Sequence, residues 1–475
     1  MKRLSLAALM PVILLTLACA TNPVTGKRQL AMITEAQEIQ MGQQAAQQVA
    51  KEMGLVQDQA LQNYVNQVGQ RLAADSERPD LPWTFAVVDD PMINAFALPG
   101  GPVFLTRGIL SHFNNEAEMA SVLGHEIGHI TARHSVEQIS KQQLAGLGLG
   151  IAMILSPQAA QYGDLANVGM QLMFMKFGRD HERQADDLGL RYMIQEGYDP
   201  NQMPPVFDVL DRISALEGGR AMPEWASTHP DPGNRAARIR QDIAEAGNPS
   251  GVVNRDTYLA RLDGMTFGTN PREGYVVGST FIHPEMRFRM QFPQGWKIQN
   301  TRQAVLGVSP NQDAAIILTH AQAQTPDAAA RAFFSQQGLQ AGQQVQQNIY
   351  TFRTAQMQDG NVLQGVAGFP QVGGTVLQLV GYTSANRWNS VANSIGSAVA
   401  SVQPETNPRY INVEPKRVDI VKVPRRMTLQ EFARNYPSTV DLQTVAILNG
   451  AVRDGFVFEA GQMAKRIVGG NLPTN

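Results

Sequence analysis

At 475 residues the chain is too long for one ordinary hydrophobic core, and its length suggests two to four domains. A hydrophobic fraction of 43% supports globular cores, while a formal net charge of −2 and a pI near 6.5 argue against a nucleic-acid partner and an acidic tail. The one cysteine, Cys19, excludes intrachain disulfides, so stability must come from packing or from metal.

Residues 1–19 read as a signal peptide. Lys2 and Arg3 precede an apolar run, Leu4 to Leu17, that is shorter than the roughly 20 residues a membrane span needs. Two processing routes fit. "ACA" at 18–20 suits ordinary signal cleavage after Ala20. "TLAC" at 16–19 resembles a bacterial lipobox, with lipid on Cys19, although Thr16 stands where an aliphatic residue is usual. On the lipobox route, Ala20 in place of Asp favours the outer membrane, by analogy with bacterial lipoproteins. The expected location is the periplasm, with a lipid anchor to the outer membrane.

A polar, turn-rich linker leads to a Gln- and Ala-rich helix over 34–53. Leu61, Val65, Val68 and Leu72 repeat at helical spacing over 58–75. "WTFAVVDD", 83–90, alternates as a strand. "NAFALPGGPVFLTRGIL", 94–110, reads as strand, turn, strand and helix start. A helix is expected from Asn115 to Gln138. Apolar stretches at 144–155 and 168–178 read as core helices, or as a hairpin that covers a site or touches membrane. Helices resume at 180–196 and 203–217. "TNPREG", 269–274, marks a boundary, beyond which short strands and helices at 326–339 and 387–402 form an α+β domain. A last small module covers about 410–470.

The helix over 115–138 carries "HEIGH". Residues four apart share a helix face, so His125 and His129 can reach one metal ion, with Glu126 beside them to meet a water. The small Gly124 and Gly128 allow a neighbour to approach closely. A metzincin would continue as HExxHxxGxxH, but Ala132 and Ser135 occupy those positions and His134 is one residue out of register. A gluzincin takes its third ligand from a later helix. "DHERQADDLGLRYM", 180–193, offers Glu182 as that ligand, with Asp186 one turn on to accept a hydrogen bond from a ligand histidine.

Together, "NEAEMASVLGHEIGHITARH", "ERQADDLG", "NAFALPGG" and "STHPDPGNR" resemble the BepA/HtpX-type gluzincin metallopeptidases, whose relatives include the CAAX prenyl proteases. The likeness covers about 30–245. It implies a zinc endopeptidase with one Zn2+ per chain, ligands His125, His129 and Glu182, and Glu126 as the catalytic residue. "NAFALPG", with Asn94, Ala95 and Phe96, would offer an edge strand to which an extended peptide adds. In BepA-like relatives the histidine matching His229 can approach the zinc, where it would displace the water and hold the enzyme latent. Arg235 would pair with Asp186 or stabilise the tetrahedral intermediate. The tetratricopeptide array of BepA-like proteins has no 34-residue counterpart here.

The fold expected is α+β: a mainly helical HExxH zincin domain with a small sheet (30–245), an α+β domain (270–403) and a degenerate LysM-like module (410–470). "MTLQEFA" and "AILNG" carry the last likeness. It implies at most a weak peptidoglycan contact, because Met427 stands where a glycine is usual. The expected function is proteolytic quality control of unfolded or misassembled envelope proteins. A peptidoglycan-associated hydrolase and a non-catalytic zinc-bearing scaffold are the alternatives.

Overall fold

A computed structural model describes residues 19–144, 172–216, 224–229, 232–355, 362–451 and 455–473. The leader at 1–18, the apolar run at 145–155 and the start of the stretch at 168–178 lie outside them. The chain divides into two compact units, one of 1–268 with 417–468 and the other of 269–416 with 469–475.

In the first unit β1 (Cys19–Thr21) pairs with β2 (Arg28–Leu30). Helix α1 (Glu35–Met53) starts in a capping box between Thr34 and Gln37, and α2 (Gln59–Ala74) is capped by Asp58. The periodic residues Leu61, Val65, Val68 and Leu72 are all buried. A three-stranded sheet follows, of β3 (Thr84–Val88), β4 (Ala95–Ala97) and β5 (Pro102–Thr106). Its order is β3-β5-β4, which leaves β4 at an edge.

Short helix α3 (Arg107–His112) leads into α4 (Glu116–Thr131), capped by Asn115 and buried along its whole length. The helix expected to run on to Gln138 breaks here. Arg133 adopts a left-handed φ of 59°, and a new helix, α5 (His134–Leu144), begins at the next residue. Helices α6 (Arg179–Gln195), α7 (Met203–Leu216), α8 (Glu224–Thr228), α9 (Pro232–Glu245) and α10 (Arg255–Leu262) complete this part.

Gly268 and Arg417, where the chain leaves and re-enters the unit, lie on neighbouring backbones. Gly264 N–H donates to Val418 O and Val418 N–H donates to Met265 O, both at 2.8 Å. Residues 269–416 are therefore an insertion in the first unit's sequence. In the returning segment, strand Lys416–Lys422 pairs with Met463–Gly469, and Met427–Thr428 pairs with Val457–Phe458 around helices Leu429–Asn435 and Leu442–Leu448. Val418, Leu448 and Ile467 join the core of the helical region, and Ile447 packs with Val209 and Ile213 of α7. Lys465 is fully buried. Its ammonium donates to the carbonyls of Ser111 and Phe113, both at 2.8 Å, just ahead of α4.

The second unit holds an eight-stranded antiparallel sheet. Its central strands are Thr375–Ser384 and Ala314–His320, and Leu339–Gln346 and Lys297–Asn300 form the two edges. Ala314, Ile316 and Leu318 alternate inward to one face, where Ile395 of helix Trp388–Val399 packs against Gly381. The helix expected over 326–339 ends at Phe334, and Gly338, at φ 85°, turns the chain into the strand that begins at Leu339.

Candidate metal centre

Helix α4 carries His125, Glu126 and His129, and α6 lies directly against it. The approach depends on glycine. A Cβ on Gly189 would sit 2.8 Å from His125 N, and one on Gly128 would sit 3.1 Å from Ala185 Cα. This close packing brings Glu182 to the histidines. His125 Nε2 is 3.6 Å from Glu182 Oε2, His129 Nε2 is 3.6 Å from Glu182 Oε1, and the two ring nitrogens are 3.0 Å apart. Two donors held at about 2.0–2.1 Å by one tetrahedral zinc ion lie about 3.3 Å apart, so these separations fit a shared ion.

The protonation states fit as well. Burial pushes the His125 imidazolium down to about 4, against the opposing pull of Asp186, and holds His129 well below its ordinary value. Both rings are therefore neutral donors at pH 7. Glu182 is almost fully buried, and neither carboxylate oxygen has a hydrogen-bond partner. Arg235 Nη1 stands 3.0 Å from Oε2 but off the line of a hydrogen bond. Burial pushes the Glu182 carboxyl well above its ordinary value despite Arg235, so its two unbonded oxygens suit a metal ion that would favour the carboxylate.

Asp186 orients the first ligand. His125 Nδ1 donates to Asp186 Oδ1 at 3.0 Å. Burial alone would raise the Asp186 carboxyl, but Arg235 and His125 outweigh it and hold the group well below the usual carboxylate range. Arg235 donates to both Asp186 oxygens, at 3.0 and 2.6 Å, and Arg238 adds a further bond at 3.0 Å.

Two further groups close over the site. His229 follows α8, and its Nδ1 donates to Trp225 O at 3.2 Å. That leaves Nε2 as a lone-pair donor, buried and without a hydrogen-bond partner. Its ligand atom lies within 4.8 Å of those of His125, His129 and Glu182. Trp225 donates from Nε1 to Glu126 Oε1 at 3.2 Å and stacks on His229 at 5.0 Å. Burial pushes the Glu126 carboxyl up to about 7, against the opposing pull of Trp225, of Arg235 and of the Ala97 backbone in edge strand β4. Ala95 and Phe96 are buried in β4, and Asn94 is buried just before it with no partner for its amide.

A sequence profile described as peptidase family M48 matches residues 59–243. This stretch is similar to peptidase family M48. The matched stretch holds the three residues expected to bind zinc, His125, His129 and Glu182. The chain is 31% identical over 251 residues to the beta-barrel assembly-enhancing protease of Escherichia coli K12, covering 51% of each protein. It is 35% identical over 195 residues to the mitochondrial metalloendopeptidase OMA1 of Arabidopsis thaliana, covering 40% of this chain and 38% of that protein. With OMA1 of Schizosaccharomyces pombe it shares 35% identity over 235 residues, covering 47% of this chain and 66% of that one. The chain thus spans roughly 40 to 65% of the length of these relatives.

Sequence reasoning missed Trp225 and His134 in the matched stretch. Trp225 precedes His229 by four residues, so helical spacing alone would have paired them. His134 is out of register for a ligand in the sequence, yet its Nδ1 lies 2.9 Å from Nδ1 of His129.

Proposed function

We propose that this protein is a zinc-dependent endopeptidase of the bacterial cell envelope that cleaves unfolded or misassembled envelope proteins. One observation carries the reading: Glu126 stands beside the zinc ligands, buried, with its carboxyl pushed up to about 7 and the backbone of edge strand β4 close enough at Ala97 to pull against that shift. An extended peptide added to β4 would bring its carbonyl to the carboxylate that must handle the proton.

When bound, zinc supplies a Lewis acid that acidifies a water and polarises a carbonyl. The chain's own residues do the rest. Asp186 fixes the ring of His125, and Arg235 fixes Asp186. Glu126, with its carboxyl near 7, takes a proton from the attacking water at neutral pH and returns it to the leaving amine. Main-chain pairing along β4 tolerates many sequences, which suits quality control. The name of the E. coli relative, a beta-barrel assembly-enhancing protease, supports outer-membrane substrates.

His229 is proposed as a fourth donor that holds the enzyme latent by closing the position a water must occupy. Cys19 is proposed as the site of a lipid anchor. No helix among the described residues is long and apolar enough to cross a membrane. Mass spectrometry of the mature N-terminus tests the anchor, and a free Thr21 terminus would refute it.

The deciding experiment compares zinc content and casein cleavage in wild type and Glu126→Gln. The variant should keep stoichiometric zinc and lose about 10²–10⁴-fold in rate, the usual contribution of a general base. Undiminished cleavage would remove Glu126 from the mechanism.

A further inference from the structure

The two histidine ligands are oriented by different chemistry. His125 donates to a carboxylate, whereas His129 meets another imidazole, with His129 Nδ1 and His134 Nδ1 2.9 Å apart. An imidazole that holds metal through Nε2 carries its proton on Nδ1, so His129 is the donor and His134 the acceptor. His134 must then keep its own proton on Nε2. That atom lies 3.0 Å from Gln184 Oε1, which can only accept. Both hydrogen bonds demand the same neutral tautomer of His134.

The ring is also mechanically confined. His134 is 1% exposed and stacks on His181 at 4.2 Å with an interplanar angle of 18°. Its position depends on the break after α4. On an unbroken helix, residue 134 would lie about 140° round the axis from His129. Instead, Arg133 takes its left-handed conformation, held by a 2.9 Å hydrogen bond from its Nε to buried Glu38, and the chain turns so that His134 lies under His129.

We infer that His134 is a positioning residue of the metal centre, a neutral acceptor whose tautomer is set by Gln184 and which fixes the proton and ring plane of His129. The inference rests on the zinc reading of the site and adds an outer layer to it.

The test uses the full chain and measures zinc affinity by competition with a chromophoric chelator, together with the absorption spectrum of the cobalt(II)-loaded protein. His134→Phe keeps a ring but removes the acceptor, and should weaken zinc about 10–100-fold and shift the cobalt spectrum. His134→Asn places an amide oxygen near the former Nδ1, and should recover most of the affinity and the wild-type spectrum. Gln184→Leu changes only a half-buried side chain, and should weaken zinc to a lesser degree. Wild-type affinity in His134→Phe would overturn the inference, as would a loss in His134→Asn equal to that in His134→Phe. If His134→Phe does not fold, unchanged affinity and spectrum in Gln184→Leu overturn it. A wild-type chain that binds no zinc would instead refute the metal centre itself.

Discussion

His229 makes the sharpest prediction of any single residue. Its free Nε2 faces the ligand cluster and stands 3.6 Å from Glu126 Oε1. If it holds the site closed, His229→Ala should raise casein cleavage or self-cleavage while zinc content stays constant; a slower variant with full zinc would give the imidazole a catalytic role. A second histidine reports on acid stability. Burial pushes His112 down to about 4, against a hydrogen bond to Gly108 O that opposes it, with Lys465 adding to the depression. Its folded value lies below the unfolded one near 6.5, so the unfolded chain binds the extra proton. Stability from this group is intact above about pH 6.5 and falls by up to about 1.4 kcal/mol per pH unit between there and about pH 4. His112→Asn keeps a donor for Gly108 O and cannot titrate. Urea denaturation at pH 7 and pH 5 should therefore show a smaller loss in the variant, and equal losses would refute the assignment. His125, Glu126, His129 and Glu182 were legible in the sequence because helical spacing carries them. His134 and Trp225 were not, since one depends on a left-handed Arg133 and the other on the placement of a short helix.

At the scale of elements, the α4–α6 contact sets the metal geometry. Three glycines, Gly124, Gly128 and Gly189, allow the backbones to touch, and the ligands of both helices face the seam. A methyl group at Gly189 meets the backbone of His125 itself, with no flexible side chain to yield. Gly189→Ala should cost about 1–3 kcal/mol by overpacking. It should also weaken zinc, because Glu182 moves with α6. Calorimetry with and without zinc would check both effects, and an unchanged variant would show that the seam has slack. The far end of α4 is tied separately. Arg78 donates to Ile130 O at 3.0 Å and pairs with buried Glu38, which also holds Arg133. The sequence revealed α4, α6 and the small residues between them. The helix break was hidden because no proline or glycine marks it: Arg133 is held left-handed by a partner nearly 100 residues away.

For the whole molecule, the notable fact is that residues 417–468 complete the core of the first unit, and that 269–416 fall between its two parts in the sequence. Local patterning could suggest a small module at 410–470 but not its packing, which rests on Val418, Leu448, Ile467 and the buried Lys465. Excision of 269–416, with a short Gly-Ser link between the neighbouring backbones of 268 and 417, should leave a folded protein that binds zinc stoichiometrically. Truncation at 416 should instead give an unstable or insoluble product. A stable, zinc-loaded truncation would show that the returning segment is dispensable.

Lys465 also imposes an order of events on a chain made from one end. The strand that delivers its ammonium to Ser111 and Phe113 is synthesised more than 350 residues after them. At about 5–20 residues per second, the roughly 150-residue insert alone separates the two halves of the core by several seconds to half a minute. During that interval the two carbonyls at the entrance to α4 lack their donor, and the core of the first unit is open where strand Met463–Gly469 will lie. Long-range closure of this kind is slow. The entrance to α4 is therefore sealed only after residue 465 has been made.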